Sequence, residues 1–204
     1  MNFDVIINAF ILAIGLILPL GVQNLFVFNQ GAAHSRYYKA LPVVITASIC
    51  DTLLILFAVG GVSTVALGHH AVKVSMIGAG ILFLLYMGWV TWNSKPKPLQ
   101  RQEERVPPRK QIAFALSVSL LNPHAILDTV GVIGTSSLKY GGADKVVFAL
   151  TCIVVSWLWF ASLAYAGKAV GSIDRSGNVL GMLNRVSALF MWGTALYLVS
   201  SLFD

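Results

Sequence analysis

Charged residues are scarce in this chain of 204 residues, and their scarcity excludes most soluble folds. Only 11% of the residues are Asp, Glu, Lys or Arg, whereas 57% are hydrophobic. An ordinary globular domain has about 25% charged residues with which to cover its surface. The sequence therefore predicts an all-α integral membrane protein, because alternating strands of a membrane barrel do not occur in it.

Cysteine is also rare, and the common cofactor motifs are missing. Cys50 and Cys152 each lie inside an apolar run, where a thiol acts as a small hydrophobic side chain. No CxxC, HExxH, P-loop or GxGxxG pattern occurs, so we predict no metal ion and no cofactor. The net charge of +6 is divided among loops between apolar runs, which favours contact with anionic lipid rather than nucleic acid.

Six apolar runs have the length of about 20 residues that a spanning helix needs. They cover residues 5–28, 41–68, 74–92, 112–138, 146–166 and 186–203. We predict one transmembrane domain over residues 1–204, with one repeat at about 1–94 and a second at about 112–204. The stretch 95–111 between them is rich in proline and in basic residues, which is typical of a solvated cytoplasmic linker.

Lysine and arginine are unevenly distributed between the loops, and this predicts the orientation. Eleven of the fourteen bases lie in the loops after the first, third and fifth runs. The positive-inside rule places that face in the cytoplasm. We therefore expect a multi-pass protein of the plasma membrane, with its N- and C-termini both outside.

Two prolines lie well inside apolar runs and point to an internal repeat. Aligning Pro19 with Pro123 matches PLGVQN at 19–24 with PHAILD at 123–128 and places Asp51 near Ser156. A proline inside a helix leaves a backbone carbonyl without its partner and breaks the helix. Because each half has three spans, the halves would be inverted. The predicted fold is thus six transmembrane helices in two inverted three-helix repeats with broken first helices, as in many secondary transporters.

Asp51 and Asp128 are the only charged residues deep within a run. A charge at the centre of a bilayer costs at least about 2.5 to 3.5 kcal/mol, so each acid needs a partner, a cavity or a proton. No lysine or arginine lies inside a run to pair with them. We predict that they bind a cationic substrate or carry a proton, the alternative being a neutral carboxyl used in packing.

Polar and small residues flank both prolines. Gln23, Asn24 and Asn122 carry amides that can satisfy freed backbone groups or contact a ligand. Gly21 permits close approach of the backbone to a ligand, and the start of the following half-helix favours a carboxylate. His124 is a candidate proton relay or a cap of the second break. These residues complete the predicted substrate site.

The residues around both prolines resemble those of the LysE family of amino-acid exporters, most closely its lysine and arginine exporter branch. The similarity is carried by LPLGVQN at 18–24, Gln30-Gly31, Asp51 and LNPHAILDT at 121–129, and it runs over nearly the whole chain. The chain departs from the pattern at Val22, where the family has proline. The resemblance implies a plasma-membrane exporter of basic L-amino acids, driven by protons or by the membrane potential.

Other functions stay open at this point. Related branches of the family export neutral amino acids. A membrane-embedded enzyme is a second class, with His124 and Asp128 on one helix face as an acid–base pair, although no nucleophile motif accompanies them. The small-residue pairs Gly167-x-x-x-Gly171 and Gly177-x-x-x-Gly181 indicate close helix packing, and a homodimer is one partner that would supply it.

Overall fold

The computed structural model describes residues 3–18, 21–34, 36–62, 70–94, 107–120, 125–126, 129–173 and 178–200, and this part of the chain is helical without a strand. A short 3₁₀ turn covers Tyr37–Lys39, and π-helical turns cover Ala58–Val62 and Thr129–Gly134. The α-helices are α1 (Phe3–Ile17), α2 (Val22–Ala33), α3 (Leu41–Phe57), α4 (His70–Asn93), α5 (Pro108–Leu120), α6 (Thr135–Ser137), α7 (Gly142–Ile173) and α8 (Asn178–Ser200).

Two of the described helices are long and apolar enough to cross a membrane. They are the 21 residues of Leu41–Gly61, which join α3 to the first π-helical turn, and the 32 residues of α7. The pair α1 and α2 meets the same criterion if the two are counted as one broken span. The all-helical prediction is confirmed, whereas the six spans and the two repeats stay predictions.

The first apolar run is interrupted near the predicted position. Helix α1 ends at Ile17 and α2 begins at Val22, and the two helix axes meet at 78°. Pro19 lies between them, outside the described residues. The turn directs the start of α2 into the interior of the molecule, where the site described below lies.

Small residues let α2 pack closely against α7. A side chain at Gly31 would overlap the backbone carbonyl of Ala164, and one at Gly167 would overlap the carbonyl of Phe28. Gly171 packs against Ala32 in the same way. The Gly167 and Gly171 pair therefore joins two helices of one chain, so these two glycines are not available as a dimer contact.

The other main contacts of the described helices join them in pairs. Helix α1 packs against α7, while α5, which follows the linker, packs against α3. Helices α3 and α7 pack against each other, and α4 packs against α8.

Two apolar cores lie along α3 and α7. One includes Ile55, Val59, Phe148 and Cys152, and the other includes Val43, Ala47, Phe160 and Ala164. Several polar side chains lie between these two cores, at the middle of both helices, namely Ser48, Asp51, Thr52 and Ser156. Such residues are costly at this depth unless they have partners or a function.

Candidate functional site: a cavity beside the broken helix

A cavity of about 790 Å³ lies where the broken helix meets the middle of α3 and α7. Most of its wall is apolar, with a few polar groups on one side, which is the usual make-up of a small-molecule site. Leu189, Phe190 and Tyr197 of α8 line the opposite side and are largely exposed, so the cavity opens there. Its polar lining residues are Gln23, Asn24, Asp51, Thr129, Cys152, Ser156, Thr194 and Tyr197.

Asp51 is the only acid among the described lining residues. It occupies the middle of the apolar stretch Leu41–Gly61, ten residues from either end. The hydroxyl of Ser156 donates a hydrogen bond of 2.7 Å to Oδ2 of its carboxylate. No lysine or arginine in the described ranges forms an ion pair with it. The carboxylate is therefore held by one neutral donor and faces a cavity of ligand size.

Asn24 holds the broken helix together. Its Nδ2 donates a hydrogen bond of 2.6 Å to the carbonyl oxygen of Ile17, the last residue of α1. Trp159 on α7 donates from Nε1 to Oδ1 of Asn24 at 3.2 Å. The amide of Asn24 therefore satisfies a backbone carbonyl at the break, that of Ile17.

The beginning of α2 faces the cavity without a side-chain cap. Gly21 precedes the helix in an extended conformation and, because it has no side chain, provides no side-chain cap. The first turn of a helix has N–H groups without intrahelical partners and carries a partial positive charge. Gln23 lines the cavity beside it, and its buried Nε2 has no hydrogen-bond partner in the described part of the chain. These donors are suited to a carboxylate.

The second half of the predicted site lies outside the described residues. It comprises Asn122, Pro123, His124 and Asp128. Ala125, which lies between His124 and Asp128 in sequence, and Thr129, which follows Asp128, both line the cavity. These two described neighbours of the segment are thus part of the wall of the cavity that Asp51 faces.

Two functional neighbours were not identified from the sequence. Ser156 was matched with Asp51 in the repeat alignment, but a contact between them was not inferred. Trp159 was not a candidate, yet its indole donates a hydrogen bond to Asn24. The repeat could have revealed the first contact, because equivalent residues meet at a two-fold axis. No sequence signal identifies the second.

The described residues offer no group of three or more His, Cys, Asp or Glu side chains that could hold a metal ion. Both cysteines are buried and free. The chemistry of the cavity is that of hydrogen bonding and charge, and it suits a small zwitterionic solute.

A cavity with a few polar groups at the middle of apolar helices, next to a broken helix, is the arrangement of secondary transporters. The comparison with known families agrees, since residues 14–202 match the LysE type translocator family. The chain belongs to this family and is a multi-pass membrane amino-acid transporter, not an enzyme. The family resemblance inferred from the sequence is confirmed.

Curated relatives cover nearly the whole chain. A putative amino-acid transporter, YisU of Bacillus subtilis, is 54% identical over 99% of this chain and 92% of its own length. The arginine exporter protein ArgO of Pectobacterium carotovorum is 32% identical over 96% of this chain and 97% of its own. The putative amino-acid transporter YggA of Aeromonas salmonicida is 29% identical over 97% of each. No solved structure matches the chain.

Proposed function

We propose that this protein exports basic L-amino acids, lysine or arginine, across the plasma membrane. The observation that carries the proposal is the carboxylate of Asp51, which faces a cavity at mid-helix and forms no ion pair with a described lysine or arginine. An acid without a fixed cation among the described residues, placed where a charge is costly, favours a guest with an ammonium group, as every amino acid has. The similarity to proteins named arginine exporter supports a basic side chain in particular.

In the proposed site, the positive and the negative groups of the substrate bind in two different regions. Asp51 and Asp128 bind its positive groups or carry the coupling proton. Gly21, Gln23 and the start of α2 receive the α-carboxylate, for which they offer N–H donors and a positive helix end. Asn24 preserves the geometry of this helix end through its bond to α1.

The second half of the chain contributes the equivalent groups in this proposal. Asn122 and His124 stand beside the second proline, Pro123, as Gln23 and Asn24 stand after the first. We assign them to substrate or proton contact at the same cavity. The position of Ala125 and Thr129 in the cavity wall supports this assignment.

We further propose six spans in two inverted repeats, at about 1–94 and 112–204, joined by the cytoplasmic linker 95–111. Two hydrogen-bonded pairs support it, since Asp51 bonds Ser156 and Thr52 bonds Trp157, each pair separated by 105 residues, within one residue of the offset between Pro19 and Pro123. Alternating access would then be a rocking of one half against the other. The eleven bases of the loops on one face support an orientation with both termini outside.

Coupling to protons or to the membrane potential completes the proposal. An acid inside the cavity can bind a proton when the substrate leaves, which makes exchange of one for the other the simplest cycle. The membrane potential also acts on the net movement of a cationic substrate, by about 2.3 kcal/mol per charge for 100 mV. In export this contribution opposes a cation leaving a cell that is negative inside, which favours an antiport with protons.

An efflux panel tests the proposed substrate class. Cells that express the protein and cells that lack it are loaded with dipeptides that release lysine, arginine, leucine or threonine, and the appearance of each amino acid outside is followed. We expect faster efflux of lysine or arginine only. Faster efflux of leucine or threonine alone would support the neutral-exporter alternative and contradict the basic-substrate proposal.

A further inference from the structure

We infer that Asp51 receives the α-ammonium group of the substrate, and that the charge of the substrate side chain is recognised elsewhere. The inference rests on the proposed function, because it specifies which group of the amino acid Asp51 contacts. Asp51 would then recognise the α-ammonium group, which all these amino acids share. The preference for basic side chains would then depend on other groups.

One helix fixes the distance between Asp51 and the start of α2. On α7, Ser156 binds the carboxylate of Asp51 and Trp159 binds the amide of Asn24. Ser156 and Trp159 are three residues apart, which corresponds to a rise of about 4.5 Å, less than one helical turn. The acid and the beginning of the broken half-helix are therefore anchored to adjacent positions of a single rigid element.

The two groups that these positions of α7 hold, Asp51 and the start of α2, have opposite electrostatic character. At one end, the carboxylate of Asp51 lacks a described cation, and Ser156 occupies one of its oxygens. At the other end, α2 begins without a side-chain cap, and the buried Nε2 of Gln23 is an unused donor in the cavity wall. A donor that is buried without an acceptor is costly, so a ligand acceptor is expected there.

The geometry of an amino acid matches this close pair of sites. Its α-ammonium and α-carboxylate are bonded to the same carbon, so they must bind to groups that lie close together. The side-chain ammonium of lysine is separated from that carbon by a flexible four-carbon stem. With the carboxylate at the start of α2, the α-ammonium reaches Asp51, and the stem continues along the apolar wall that includes Phe160 and Met191.

Competitive binding to the purified full-length protein tests this assignment. Labelled lysine is displaced by lysine, by 6-aminohexanoate, which lacks the α-amino group, and by norleucine, which lacks the side-chain ammonium. We expect each analogue to bind the wild-type protein at least roughly tenfold more weakly than lysine, since each leaves a buried charged partner unmatched. The same ratios are then measured in Asp51→Asn, in Asp51→Glu and in the control Asp4→Asn, an exposed acid at the start of α1.

The inference predicts a selective change in these ratios. In Asp51→Asn the preference for lysine over 6-aminohexanoate should disappear, while the preference for lysine over norleucine remains. Asp51→Glu should restore the first preference, and Asp4→Asn should alter neither. Loss of the norleucine preference instead would assign Asp51 to the side chain and overturn the inference. The inference would also be overturned if Asp51→Asn changed neither preference. The same holds if Asp51→Glu, like Asp51→Asn, lost the preference for lysine over 6-aminohexanoate.

Failure of the inference can be distinguished from failure of the proposed function. If the wild-type protein binds leucine rather than lysine, the basic-substrate proposal is wrong. The role of Asp51 is then tested with leucine and 4-methylpentanoate, its analogue without the α-amino group. A protein that binds no amino acid at all would contradict both.

Discussion

The Ser156 hydroxyl lies 2.7 Å from the Asp51 carboxylate, although 105 residues separate them in the chain. The neighbouring pair Thr52 and Trp157 has the same separation and is also hydrogen-bonded, at 3.0 Å. In a molecule made of two equivalent halves, equivalent residues can touch only near the two-fold axis. If the chain has the proposed inverted repeat, these contacts lie close to the axis about which the two halves move, and Asp51 lies there with them.

Removal of either carboxylate of the proposed site, that of Asp51 or that of Asp128, should abolish export. Asp51→Asn and Asp128→Asn keep the shape of the side chain but remove its charge and its proton chemistry. We expect export of lysine and arginine to fall to the level of cells without the protein, with normal amounts of protein in the membrane. The control Asp4→Asn removes an exposed acid and should export at the wild-type rate. Normal export in both cavity variants would mean that the acids serve only packing.

The amide of Asn24 should be needed for the shape of the break. Asn24→Ala leaves the Ile17 carbonyl and the Trp159 indole without this partner, at a cost of about 1 to 3 kcal/mol for an unsatisfied buried group. We expect a lower melting temperature in detergent and slower export. Asn93→Ala is the matched control, since it removes a similar bond from an exposed amide to a helix carbonyl. Equal melting temperatures and export rates for the two variants would contradict the role of Asn24.

Close packing of α2 on α7 gives a prediction about stability. Gly31→Ala places a methyl group against the backbone carbonyl of Ala164, which cannot move as a flexible side chain would. Overpacking of this kind costs roughly 1 to 3 kcal/mol, so the melting temperature should fall. Gly15→Ala introduces the same methyl group on α1, where nothing lies within 4 Å, and should be neutral or stabilising. The prediction fails if Gly31→Ala is as stable as Gly15→Ala.

Topology mapping checks the six-span arrangement. Epitope tags at residue 1 and residue 204 should both react with antibody on intact cells, because the basic loops face the cytoplasm. A tag in the linker 95–106 should react only after permeabilisation. A cytoplasmic N-terminus combined with an external C-terminus would require an odd number of spans and would contradict the inverted repeat.

The parts of the site that could be predicted are those that follow from residues adjacent in the sequence. Asp51 was identified because a charge within an apolar run is costly wherever it lies. The interruption between Ile17 and Val22 was predicted from Pro19, since a proline removes a hydrogen bond irrespective of the surrounding structure. Each inference needed only the chemistry of a few adjacent residues.

The remaining features depend on which helices meet. Trp159 bonds Asn24 across 135 residues, and no local pattern specifies that pairing. Gly167 and Gly171 indicated a close helix contact, but their spacing does not reveal whether the partner is α2 or another chain. Hydropathy predicted a span at 146–166, whereas α7 extends from Gly142 to Ile173. Apolar composition marks the part of a helix in the bilayer rather than the ends of the helix.

Counterflow in proteoliposomes tests the central claim most directly. Vesicles that contain the purified protein are loaded with unlabelled lysine or arginine, and uptake of labelled lysine is measured against competing external amino acids. We predict exchange of lysine and arginine, with norleucine competing roughly tenfold to a few hundredfold less well, because a neutral guest leaves a buried acid unpaired. Norleucine that competes as well as lysine would contradict the basic specificity, and no exchange of any amino acid would contradict transport itself.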